Sequence, residues 1–183
     1  MKQKILFIHS AGPQGSHNGS DFLLAYLYDH LFNTHELFHP YMPDPENPHY
    51  DAWRITIKKE LDILSNNTLL IGHSLGASTL LKYLSESFDE KAIGGLFLIA
   101  APYWGTDDWN VDEYVLTKNF SSNLRRIPDV FLYHSKDDEV VPIRHLTHYA
   151  DEMPWATVRV CEGGGHLFGH GLPELITDIK SLT

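Results

Sequence analysis

Short apolar runs alternate along this chain with longer stretches whose apolar residues recur at helical spacing. KILFIH (residues 4–9) reads as a buried strand and ends in the turn-rich Ser10-Ala11-Gly12-Pro13. DFLLAYLYDHLF (21–32) has helical periodicity, with Ser20 or Asp21 placed to cap it. HELFHPYMP predicts a short strand halted by Pro40 and Pro43, and DPENPHY a proline-rich loop. DAWRITIKKELDIL returns to helical spacing, with Trp53, Ile57, Leu61 and Leu64 along one side. Strand TLLIGH, helix LGASTLLKYLSESF, strand GGLFLIA and the aromatic loop APYWGTDDW come next. A helical stretch is expected over about 110–124, followed by strand DVFLYHS, helix IRHLTHYADEM, strand TVRVCEG and a closing helix, LPELITDIKSL.

This alternation predicts an α/β architecture, a mostly parallel sheet of about six strands with helices on both faces. The 183 residues are expected to form one domain over 1–183, because a chain of this size buries roughly 70% of its unfolded surface in a single core. No internal repeat or linker interrupts the pattern. In such sheets ligands bind beyond the carboxyl ends of the strands, so the residues just after each strand are the ones that matter.

Composition narrows the partners. A formal charge of −10 argues against nucleic acid and anionic membrane, both of which call for a basic face. The one cysteine, Cys161, excludes an internal disulfide. The apolar run Ile5-Leu6-Phe7-Ile8 is too short for a signal peptide, and no run approaches the ~20 residues that span a bilayer. The expectation is a soluble cytoplasmic protein.

Three strand ends carry chemistry. After TLLIGH, Gly72-His73-Ser74-Leu75-Gly76 matches G-x-S-x-G, a turn so sharp that side chains at the two glycines collide with neighbouring backbone. Such a turn raises a serine hydroxyl at the N-terminus of a helix, where backbone N–H groups and the helix dipole favour a developing oxyanion. Leu75 N–H would be one donor. The bland alternative is a packing turn that happens to carry a hydroxyl. A serine attacks only with a base to take its proton and an acid to orient that base. After DVFLYHS stand Asp137, Asp138 and Glu139; two adjacent aspartates cannot both orient one histidine, and chemistry alone leaves the choice between them open. A solvated acidic turn is the competing reading.

Twelve histidines offer many bases, and most must be bystanders. His145 and His148 lie one helical turn apart with no third metal ligand evident. His166 and His170 have zinc-helix spacing but stand in GGGHLFGHG, whose glycines preclude a helix; no metal site is expected. His134 ends a strand and is expected to be packed. His166 directly follows the last strand on Gly163-Gly164-Gly165, and the order Ser74, Asp138, His166 is that of an α/β-hydrolase triad. Ala11, after the first strand, is the preferred second oxyanion donor and Ser10 the runner-up. An ordinary glycine turn is the competing reading. Tyr103, Trp104 and Trp109 are expected to wall the pocket, as could the segment from Pro40 to Trp53. Ser10 and His73 are further candidates for substrate contact.

The stretches ILFIHS, YMPDPENPHYDAW, GHSLG, GGLFLIA, SKDDEVVP and GGGHLFGHG run nearly end to end. Together they resemble the small α/β-hydrolases of the YdeN and retinoblastoma-binding protein 9 family, most closely its bacterial YdeN-like branch. The Met-Pro-x-Pro…Trp segment is the most telling, because generic hydrolases lack it. The resemblance implies a compact fold without a large cap domain, and it places the acid four residues before the proline of D-x-x-V-P, on Asp138. It implies serine hydrolase activity of esterase type on small substrates, with no cofactor. The L-x-C-x-E motif of the retinoblastoma-binding members is not matched by Val158-Arg159-Val160-Cys161-Glu162, so that protein partner is not carried over. The expected chemistry is acyl transfer from a small carboxylic ester. An amidase or peptidase with the same triad is one rival, and a non-catalytic protein-binding module on a hydrolase scaffold is the other.

Overall fold

The computed structural model describes residues 2–87, 92–106 and 109–182. Phe88, at the end of one expected helix, and Asp107 and Asp108 of the aromatic loop lie outside the described residues. Strands β1 (Gln3–Ile8), β2 (His35–Phe38), β3 (Thr68–His73), β4 (Ile93–Ile99), β5 (Val130–Ser135) and β6 (Thr157–Cys161) form a six-stranded sheet in the order β2-β1-β3-β4-β5-β6. Every pairing is parallel, where the sequence led us to expect a mostly parallel sheet. Helices α1 (Asp21–Leu31), α2 (Tyr50–Ile63), α3 (Leu75–Glu86), α4 (Phe120–Leu124), α5 (Arg144–Glu152) and α6 (Pro173–Ser181) complete the fold.

The central strands β1, β3, β4 and β5 are largely apolar on both faces because both faces are covered. Leu6, Ile8, Leu70, Leu96 and Leu98 point into a core shared with Trp53 and Ile57 of α2, Leu80 of α3 and Tyr149 of α5. The alternate residues Ile5, Phe7, Leu69, Ile71, Phe97 and Ile99 pack against Leu23 and Leu27 of α1 and Leu175 and Ile179 of α6. This is the period-2 alternation of a strand, and it fixes register, because a one-residue slip would exchange the two sets. Helix α6 is tied to the sheet by Asp178, whose carboxylate accepts from Tyr133 Oη (2.8 Å) and from Arg159 Nε (3.0 Å) and Nη2 (2.8 Å).

The helix expected over about 110–124 is broken. A 3-10 turn, Asp112–Tyr114, and the five-residue α4 are separated by extended backbone at Val115. Val115 offers its carbonyl to the Lys82 ammonium at 2.6 Å, so the carbonyl is committed outside any helix. These short pieces are too little to make a cap, and among the described residues there is none.

The chain leaves β1 toward β2 on one side of the sheet and continues from β3 to β6 on the other. The loops after β1 and β3 therefore part at a switch point, where a crevice opens beyond the strand ends.

Candidate active site

Strand β3 hands over to α3 through Ser74, whose backbone sits at φ 54°, ψ −121°. A residue with a side chain adopts such a conformation at a cost of about 1–3 kcal/mol, so its surroundings must enforce it. They do so by close approach. A Cβ on Gly72 would lie 2.5 Å from Ala77 Cα, and one on Gly76 would lie 2.4 Å from the carbonyl oxygens of Ile8 and His9. Ser74 N–H donates to Ile99 O at 2.8 Å, which fastens the turn to β4. Leu75 is the first residue of α3, so its N–H has no partner one turn back in the helix.

The structure brings together side chains from the ends of three strands. Ser74 Oγ lies 2.9 Å from His166 Nε2, and His166 Nδ1 lies 2.9 Å from Asp138 Oδ2 and 3.1 Å from Oδ1. A carboxylate only accepts, so Nδ1 carries the imidazole proton and Nε2 is free to accept from the serine hydroxyl. The Asp138 carboxyl is fully buried. Burial alone would raise its pKa. Hydrogen bonds from His134 and His166, and the Val141 N–H, outweigh burial and hold it well below the usual carboxylate range. Oδ1 also accepts from Val140 N–H (2.9 Å) and Val141 N–H (2.8 Å), so the turn after β5 folds around the charge it carries.

The adjacent aspartates have different tasks. Asp137 Oδ1 accepts from Ser135 Oγ and from Gly165 N–H, the latter at 2.9 Å. It ties the loop after β6 to the end of β5, one residue before His166. Asp138 meets the imidazole itself. His134, expected only to be packed, donates from Nε2 to Val141 O at 2.7 Å, and the same nitrogen lies 3.3 Å from Asp138 Oδ2.

His73 and Ser10 do not contact the space above Ser74, which corrects their expected role in substrate contact. His73 is fully buried. Its Nε2 donates to the backbone carbonyl of His166 (2.8 Å), and its Nδ1 accepts from Ser20 Oγ (2.8 Å). Burial, then the neighbouring His166, pushes its pKa down to about 3, so it is a neutral strut. Ser10 is buried, and its N–H donates to Ser20 Oγ at 2.9 Å, which removes it as an oxyanion donor. Ser20, expected as a helix cap, makes no capping bond of its own; it joins the loop after β1 to His73. Ala11 follows on that loop and is exposed, while its neighbour Gly12 donates to Pro45 O at 2.7 Å. The Met-Pro-x-Pro…Trp segment thus braces this loop, with Trp53 Nε1 donating in turn to Pro43 O at 2.8 Å.

A cavity of about 410 Å³ opens at Ser74, lined by Ala11, Leu75, Trp104 and Trp109 among others, with Asn47, Pro48 and His49 on another wall. Tyr103 does not reach it, correcting the third expected contact. Its ring packs on Tyr149 and His148, and its N–H donates to His145 Nδ1 at 2.9 Å. The cavity also takes Val111, Glu113, Tyr114 and Val140, which sequence reasoning missed. These residues come from the broken helical stretch and the acid turn, where no periodicity or motif marks a wall. Among the described residues no group of three His, Cys, Asp or Glu could hold a metal ion, and no helix is long and apolar enough to cross a membrane.

Comparison with known proteins shows the fold and the family. The YdeN protein of Bacillus subtilis (strain 168) is 27% identical over 140 residues, which is 73% of this chain and 72% of that protein. The crystal structure of the B. subtilis ydeN gene product superposes with a TM-score of 0.84 at 22% identity, covering 99% of this chain and 98% of that one. A YdeN-like hydrolase from Pectobacterium atrosepticum gives a TM-score of 0.69 at 17% identity, over 98% and 92% of the two chains. The fold is that of an α/β-hydrolase. The serine hydrolase family model matches residues 24–174, and the chain belongs to that family.

Proposed function

We propose that this serine hydrolase cleaves a small carboxylic ester by acyl transfer through Ser74, His166 and Asp138. The observation that carries the reading is the unbroken hydrogen-bonded run from a strained serine hydroxyl at a cavity wall, through an imidazole, to a fully buried carboxylate. Ser74 Oγ attacks the carbonyl carbon while its proton passes to His166 Nε2. The imidazolium forms beside the Asp138 carboxylate, which holds the tautomer and stabilises the new charge. The tetrahedral oxyanion accepts from Leu75 N–H at the start of α3 and from Ala11 N–H on the loop after β1. His166 then protonates the departing alkoxide, leaving an acyl group on Ser74. Water attacks that ester, losing its proton to His166, which returns it to Ser74 Oγ as the acyl–oxygen bond breaks and the carboxylic acid is released.

The test is intact mass after treatment with a fluorophosphonate, on wild type and Ser74→Ala. One adduct on wild type and none on the variant is the expected result. Wild type without an adduct, while folded by circular dichroism, would overturn the assignment. Matched ester and anilide substrates then separate esterase from amidase by the ratio of kcat/KM.

A further inference from the structure

The cavity wall has a charge character that its apolar lining does not require. The rings of Trp104, Trp109 and Tyr114 lean on one another, with Trp104 5.2 Å from each of the other two by centroid. All three line the cavity. Trp104 is held in place, its indole N–H donating to Ser78 Oγ at 3.0 Å. Beside them Glu113 brings a carboxylate into the same wall. One of its oxygens accepts from Tyr50 N–H at 2.9 Å, and the other lies 3.5 Å from His49 Nδ1. A carboxylate has about four lone-pair sites, so these contacts leave room for a further donor. Among the described residues no lysine or arginine lines the cavity. The nearby Lys82 is committed to Val115 O and to Glu86.

Aromatic faces are negative, and an aromatic wall with a carboxylate favours a cation with an apolar skin. A carboxylate-bearing group would meet the like charge of Glu113, with no lysine or arginine among the described lining residues to offset it. We infer that the substrate group lodged in this cavity is cationic, an ammonium-type group on a short apolar arm, and that Glu113 sets this preference. The inference rests on the ester-cleaving reading for where the scissile bond lies, but its binding component stands on the cavity alone.

The experiment uses p-nitrophenyl esters of a trimethylammonio-alkanoic acid, its uncharged tert-butyl isostere, and a dicarboxylic half ester of the same chain length. Values of kcat/KM are divided by each ester's rate of alkaline hydrolysis, and all assays are run at about pH 8, above the ordinary range of histidine. The cationic ester should exceed its isostere by about tenfold, and the half ester should be poorest. Glu113→Gln keeps an acceptor for Tyr50 N–H and should move the cation-to-isostere ratio toward one. Trp109→Leu should do the same if the first variant does not fold. Titration of tryptophan fluorescence in Ser74→Ala with the cationic ester and its isostere measures binding without turnover. Equal turnover and equal binding of the two would overturn the inference. Preferred binding of the cation, with no fluorophosphonate adduct on wild type, would sustain the cation site and overturn the ester-cleaving function instead.

Discussion

Acid should unfold this protein well before it protonates the buried carboxylates, because the fold holds histidines neutral. Burial and the nearby His39 push the His9 pKa down to about 4, while burial and His166 push His73 to about 3. In the unfolded chain both return to about 6.5. The unfolded state therefore binds more protons below that value, and stability falls as pH drops from 7 toward 4. At about pH 5 an unfolded histidine gains roughly 2 kcal/mol from protonation that its folded counterpart does not share, so the pair costs about 4 kcal/mol. His145, lowered to about 4 by burial and then by Arg144, acts in the same direction. An ordinary carboxylate with an unfolded pKa near 4 contributes little in this window. Urea unfolding followed by tryptophan fluorescence at about pH 7.5 and pH 5 measures the difference, and the pH slope gives proton uptake. His73→Gln retains a donor toward His166 O and an acceptor for Ser20, and it should remove about one proton from the slope. Equal unfolding free energy at the two pH values, or an unchanged slope in the variant, would refute the reasoning.

Three further outcomes test the site and its frame. Asp138→Asn removes the charge facing His166 Nδ1 and should lower kcat by on the order of 10⁴. Asp137→Asn keeps an acceptor for Ser135 and Gly165 and should cost less than about tenfold; equal losses in steady-state kinetics would overturn the division of labour. Gly76→Ala drives a methyl group to 2.4 Å from two carbonyl oxygens. It should cost about 1–3 kcal/mol, read as a fall in melting temperature of about 2–4 °C per kcal/mol. His134→Leu strips the buried Val141 carbonyl of its donor and should destabilise by about 1–3 kcal/mol. His134→Gln should recover part of that loss in the same thermal melts.

Much of this architecture is legible in the sequence because its signals are local. Each strand is a short apolar run bounded by turn residues, and α1, α2, α3, α5 and α6 follow helical spacing. Their positions need no long-range information once the strands are parallel. The proposed triad of Ser74, Asp138 and His166 carries local marks of the same kind, each on the loop that follows a strand and each within four residues of a glycine or proline. What local pattern cannot give is which atom meets which. His73 sits beside Ser74 in sequence, yet its ring turns inward to Ser20 and the His166 carbonyl. Tyr103 stands among pocket aromatics and instead packs on α5. The segment over about 110–124 is expected to be helical, but a lysine on α3 claims the Val115 carbonyl. Glu113 and Tyr114 reach the cavity through that break, and nothing in their spacing announces it.

The crowding of histidines around this site can be explained by what each nitrogen faces. His73 has both nitrogens occupied, by a carbonyl and a hydroxyl. His145 accepts a backbone N–H at Nδ1. His134 shares its Nε2 proton between the Val141 carbonyl and the Asp138 carboxylate. His166 alone pairs a carboxylate on one nitrogen with a hydroxyl on the other. In the proposed mechanism a proton must arrive and leave on every turnover, and a charged imidazole is affordable only beside a buried anion. The His73 ring lies 5.2 Å from that of His166. Were it easily protonated, it would place a second positive charge beside the imidazolium and disfavour the proton transfer from Ser74. Its depressed pKa keeps it neutral beside the imidazolium that the proposed mechanism forms. The same burial that leaves the fold labile to acid therefore keeps the charge balance of the proposed site simple, and stability at low pH and proton transfer at Ser74 trace to one set of buried rings.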